Sequence, residues 1–224
     1  MQIEHINNLE NRPFPKPKVI LNTEETFKIP DDLTKAGAMR LIARALHLLG
    51  VSRTGIEVFR LLADMTENKA WHDKSKKAVN WRKQSELSND VKITNRHFRR
   101  IEAQLVKMGV ICKDTGLNGW RGRSYSGNQV DGLSLEPAIA NIKVFKSIIE
   151  FKEEKIAVEV ALINKIKDCK KTLRHYNSVY GFSEADFALI KAPLPRNQNL
   201  IRISNHLEAL KNVVTKMEAG GVKK

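Results

Sequence analysis

Apolar residues recur along this chain at the spacing of helices. Met39, Ile42, Ala43, Leu46 and Leu49 form one stripe, which predicts a helix from Lys35 to Leu49 with Thr34 as its cap and Gly50 as its stop. Ile56, Phe59, Leu62 and Ala63 form a second stripe behind a Ser52 cap, with Val51 set to pack on Ile56 as a staple. Phe98, Ile101 and Leu105 share a third face, on a helix from Asn95 to Met108 capped by Thr94 and closed by a left-handed Gly109. A short helix over about Gln84–Val91 and a tight turn through Lys92 and Ile93 precede it. Val79–Trp81 reads as a small first strand, Val110–Cys112 begins another, and Asp114–Gly122 is a Gly-rich, basic hairpin.

Further on, Glu136 to about Tyr180 has no internal Gly and only Pro137, at the first turn, so one long helix is expected. With Ile142 as an a position, its a/d sites run Phe145, Ile149, Ile156, Ile163, Ile166 and Leu173, interrupted by Lys152, Glu159 and Lys170. That broken seam fits packing on the rest of the chain or on a partner subunit better than a free coiled coil. Gly181–Arg196 is a connection in which SEADFALI can form a short helix. A last amphipathic helix, about Asn197–Met217, carries Leu200, Ile201, Ile203, Leu207, Leu210 and Val214; the tail AGGVKK is disordered or the stump of a truncation. At the other end RPFPKPKV cannot be helical. Residues 1–33 are therefore expected as an extended arm, either packed along the domain or touching DNA through Arg12, Lys16 and Lys18.

The fold class predicted is mainly α: a winged helix-turn-helix with a small β-hairpin wing, followed by a long helix and a C-terminal helix. The expected divisions are an arm (1–33), a winged-helix domain (34–135), a helical extension (136–218) and a tail (219–224).

Charge gives this fold a partner. The net charge is +14 and the isoelectric point about 9.8, an excess that calls for an anionic partner. Its cations crowd into Lys69–Lys83 and Lys92–Arg123, around the helix-turn-helix. The two cysteines, Cys112 and Cys169, lie far apart without a paired spacing, which fits a reducing compartment and a cytoplasmic protein. The N-terminus lacks an apolar signal core, and no apolar run approaches the ~18 residues of a membrane span. The sequence holds no phosphate loop, HExxH, paired-cysteine zinc spacing or nucleophile elbow, and His5, His47, His72, His97, His175 and His206 are scattered. No catalytic residue, cofactor or metal is expected.

Bidentate Arg to guanine and Asn to adenine are the pairings that read the major groove. On the Asn95–Met108 helix, Asn95 and Arg96 are the expected base readers, Arg99 and Arg100 are shared between bases and phosphates, and His97 and Thr94 stand beside them. In the wing, Asn118, Gly119, Trp120, Arg121 and Arg123 are the expected DNA contacts, the arginines suiting phosphate or a narrow minor groove. Lys76, Lys77, Arg82 and Lys83 are assigned to phosphates, although Lys69–Asn80 reads equally as a solvated loop. His47 is a plain helix residue, and Trp71 and Trp81 are expected to pack against helices.

Three stretches in order carry a resemblance: ITNRHFRRIEAQLVKMGVI, then NGWRGR, then GLSLEP at Gly132–Pro137. They resemble the replication initiator family of repABC-type plasmids (RepC-like proteins). In that family a Trp precedes the helix-turn-helix, a motif like NGKR lies in the wing, and a motif like FGFDLSP opens a long charged helix. Trp81, Asn118-Gly119 and Gly132–Pro137 match those positions, within a likeness covering roughly Thr34 to Tyr180. The chain differs from the family at Leu133, where an aromatic or isoleucine is usual, and in length, since such initiators usually carry a further C-terminal domain. The resemblance implies a plasmid initiator that binds its own origin as double-stranded DNA, helps open it without catalysis and brings in host replication proteins; the seam of the long helix adds a homo-oligomer as one partner it would suit. The residues alone also admit a winged-helix transcriptional repressor, or an adaptor that binds DNA non-specifically while its long helix docks a partner.

Overall fold

A computed structural model describes residues 2–20, 26–114, 121–123, 130–180, 184–193 and 199–221. The chain divides into two compact units, Phe14–Glu150 on one side and Met1–Pro13 with Phe151–Lys224 on the other. The boundary after residue 135 expected from the motifs falls instead after Glu150. The reason is packing: Ala138, Ile139, Phe145 and Ile148 belong to the core of the first unit.

Contrary to the expected arm, the N-terminus begins with a helix, α1 (Gln2–Asn11); from Arg12 through Ile20, where the prolines forbid a helix, and again over residues 26–33, the described backbone is non-helical. In the first unit, α2 (Lys35–Leu48) starts where the Thr34 hydroxyl accepts from Gly37 N at 3.1 Å, and stops at Gly50, with φ +83. The next helix, α3 (Arg53–Asp64), is capped by Ser52 in the same way, 3.1 Å from Gly55 N. It buries Gly55, Val58, Phe59, Leu62 and Ala63. A methyl group on Gly55 would stand 2.6 Å from Val51 Cγ1, so the glycine lets the incoming turn close on the helix. A single turn, α4 (Lys69–His72), drives Trp71 into the core, its indole N–H donating to Thr66 at 2.8 Å.

Strand β1 (Val79–Asn80), α5 (Gln84–Asp90) and α6 (Asn95–Lys107) follow, then β2 (Cys112–Asp114), β3 (Gly122–Arg123) and β4 (Val130–Ser134). β4 is central and antiparallel to both neighbours, with Val79 and Cys112 each opposite Ser134; β3 pairs with its first residues, Gly122 opposite Asp131. The sheet order β1–β4–β2, with two helices between β1 and β2, is winged-helix-like. Gly132 is obligatory in that sheet, because a Cβ there would lie 2.2 Å from the carbonyl oxygen of Asn80.

The expected single helix from Glu136 is two: α7 (Glu136–Ala140) and α8 (Ile142–Tyr180), separated by Asn141. The amide of Asn141 accepts from Lys18 N at 2.9 Å and donates to Lys18 O at 2.8 Å and Gly109 O at 3.0 Å. It thus fastens the proline-rich strap beside the end of α6. Glu136 makes a second fastening, its buried carboxylate accepting from Phe27 N at 2.6 Å and Ala78 N at 2.8 Å.

In the other unit α1 packs on α10 (Leu200–Gly221), as does α9 (Glu184–Lys191). Ile6, Leu9, Leu162, Ile166, Leu173, Ile203, Leu207 and Leu210 are buried there. Glu10 accepts from Leu200 N at 3.0 Å and from Lys155 at 3.1 Å, tying the first helix to the last. Arg12 pairs with Glu154 at 3.0 Å in an exposed ion pair and lies over the Phe151 ring. On α8 the seam positions Ile142, Phe145, Ile149, Ile166 and Leu173 are buried, whereas Ile156 is exposed and Leu162, off the seam, is buried in its place.

Candidate nucleic-acid interface

The candidate interface is built on α6. Its cap forms as its sequence dictates, the Thr94 hydroxyl accepting from His97 N at 3.2 Å. Phe98, Ile101 and Leu105 fix the helix to the core. The same periodicity turns Asn95, Arg96, His97, Arg99 and Arg100 to solvent. The turn before it contains Lys92 at φ +54, a left-handed residue that reverses the chain between α5 and α6. Ile93 N then donates to Ser88 O at 2.9 Å and closes the turn.

Polar contacts lock α5 to the first turn of α6. Gln84 donates to Asn95 O at 3.1 Å and accepts from Arg99 Nε at 3.3 Å, while the Ser88 hydroxyl donates to Asn95 Oδ1 at 2.8 Å. Asn95 is therefore half committed to the fold, keeping its amide donors for a ligand. Arg96 and Arg100, four residues apart on one exposed ridge, have no hydrogen-bond or ion-pair partner among the described residues.

The wing differs from expectation at Arg121. Its guanidinium turns inward to the carboxylate of Glu102, which is 1% exposed. Glu102 lies one turn beyond Phe98 on the inner face of α6, so its charge has to be matched inside the protein. Lys113 approaches its second oxygen at 3.8 Å without a hydrogen bond. Arg121 thus couples the base of the wing to the back of α6. Asn118, Gly119 and Trp120 lie outside the described residues; Arg123 pairs with Val130 in β3 through its backbone.

Of the residues assigned to phosphates, Arg82 is held by Asp90 at 2.6 Å and Glu86 at 3.2 Å, so it braces α5. Lys76 pairs with Glu67 at 2.9 Å and Lys77 with Asp114 at 3.4 Å; Lys83 is exposed. Exposed ion pairs of this kind contribute little to stability. Trp81, in contrast to buried Trp71, is 48% exposed at the entrance to the helix-turn-helix. Glu102, Gln84 and Asn141 are positioning residues that pattern reading missed; only Glu102 left a signal, its register on the buried face of α6, whereas the turn at Lys92 stands where the sequence places it.

Among the described residues there is no cluster of side chains able to hold a metal ion, and no helix long and apolar enough to cross a membrane. A family model described as the replication protein C N-terminal domain matches residues 18–179. No curated protein and no solved structure matches the chain.

Proposed function

This chain belongs to the replication protein C N-terminal domain family, a family that points to plasmid replication initiation, and from that premise we propose that it starts replication by binding double-stranded DNA at its own plasmid origin. The observation that carries this proposal is the exposed first half of α6. Arg96 and Arg100 project from a helix whose cap, turn and neighbour are each held by hydrogen bonds. A rigid helix bearing arginine and a half-free asparagine suits the major groove, where guanine offers O6 and N7 to one guanidinium. Arg96 is the first base reader in this proposal, with Asn95 donating to adenine N7 or to a neighbouring acceptor. Arg99, Arg100 and Lys92 serve bases and phosphates, His97 and Lys83 the phosphates, and Arg123 with the wing the flanking groove.

Arg121 supports the wing from within rather than touching DNA. Origin opening is non-catalytic in this proposal: protein fixed on the duplex bends it or assembles on it, and host replication proteins enter at the opened site. Arg96→Ala tests it. It should cost about 1–3 kcal/mol of specific binding and blur the preferred sequence, while the protein stays folded and its plasmid replicates poorly. Undiminished selectivity together with normal plasmid replication would remove α6 as the reader.

A further inference from the structure

The helices α2 and α3 leave an open groove of about 580 Å³ on their outer side. One rim is Arg40, Arg44 and His47, at i, i+4 and i+7 on α2; the other is Arg53 and Arg60 on α3. The floor is apolar, from Ala43, Val51 and half-buried Ile56. The single acid of the groove, Glu57, is already matched by Arg53 at 3.1 Å. Two cationic ridges therefore flank an apolar trench.

We propose that this groove docks an acidic amphipathic helix of a partner protein. The trench decides between an acidic helix and a nucleic acid. A duplex backbone has phosphates for the arginines and nothing apolar to fill the floor. A helix with one apolar stripe between two acidic flanks matches all three strips at once, its apolar anchors lying on Ile56 and its carboxylates on the rims. Arginine on both rims suits this further, since a guanidinium takes a carboxylate through two parallel hydrogen bonds. None of the residues lining the groove lies on α6. The proposal does not depend on what α6 reads.

The probe is a labelled synthetic peptide of about 20 residues, with Leu at i, i+3, i+4 and i+7 and Glu on both flanks, compared with a scrambled peptide of equal composition. Fluorescence anisotropy should show the ordered peptide bound and the scrambled one not. Arg40→Glu with Arg60→Glu should weaken the peptide on the order of tenfold or more and leave the salt slope of duplex binding unchanged. Ile56→Ser, which keeps every charge, should also weaken the peptide, and circular dichroism should show both variants folded. Arg96→Ala should leave peptide binding intact, so failure of the DNA reader and failure of the groove are told apart. Equal binding of the scrambled peptide, or an unaffected charge-reversed variant, overturns the proposal. So does a loss of duplex salt slope in that variant, which would make the groove a phosphate surface.

Discussion

At the scale of single residues the decisive contrast is between Arg96 and Arg121. Both are arginines in basic motifs, and from sequence alone both were expected to contact DNA. Arg96 points outward from α6, whereas Arg121 is committed to the buried carboxylate of Glu102. Removing one member of a buried pair leaves the other charge stranded. Arg121→Ala should therefore cost about 3–5 kcal/mol of folding stability, read from urea denaturation. Replacing Glu102 and Arg121 together by leucine should recover most of that loss. Where the Arg121 variant is still folded, the salt slope of DNA binding should be unchanged; a slope reduced by about one unit would return Arg121 to the phosphate. This pair was illegible from sequence because its partners lie on different elements, and only their meeting in space shows which arginine is spoken for. The caps at Thr34, Ser52 and Thr94 and the stops at Gly50 and Gly109 were legible, since each acts within one turn of its own helix.

At the scale of elements, the helices written by strong stripes form where those stripes lie, and the surprises are short or held from afar. α1 precedes a proline run and carries only Ile6 and Leu9 as described buried residues, so what holds it is α10, through Glu10 and Leu200. β4 is the central strand, yet its five residues contain Gly132, which intrinsic preference argues against. Close approach to β1 explains the glycine. Gly132→Ala should force Asn80 aside and destabilise the unit by about 1–3 kcal/mol or more, measured by the urea midpoint.

A second element-level prediction concerns α10. Burial, and then the charge of Lys170, lowers the His206 pKa from its ordinary value. A base whose folded pKa is depressed resists protonation when folded and accepts it when unfolded, so stability is lost as pH falls below about 6.5. Between about pH 7.5 and 5.5 the unit containing α10 should weaken by at most about 1.4 kcal/mol per pH unit from this group. His206→Gln should remove that component of the slope. An identical pH profile in the variant would contradict the assignment.

At the scale of the whole molecule, a net charge of +14 favours non-specific attraction to any polyanion at low salt. Charge therefore says little about selectivity. In the proposed function, what separates an initiator from a non-specific binder is a rigid reader whose arginines are presented at fixed spacing, and hydrogen bonds from Gln84 and Ser88 hold the first turn of α6 in place. The general architecture, helices around a small sheet and a long charged helix beyond, was legible because periodicity and caps are local. The division into units was not, because it follows which side chains fill which core: Phe145 and Ile148 continue the stripe of one helix but serve the first unit. The most direct measurement is a fluorescence-anisotropy titration of the protein against tiled fragments of its own replicon. It is made with competitor duplex at about 0.15 M salt, where phosphate contacts alone no longer mimic tight binding. One fragment, in a region that supports autonomous replication, should bind on the order of 10³-fold more tightly than the rest. Equal and steeply salt-dependent binding to every fragment would contradict the account.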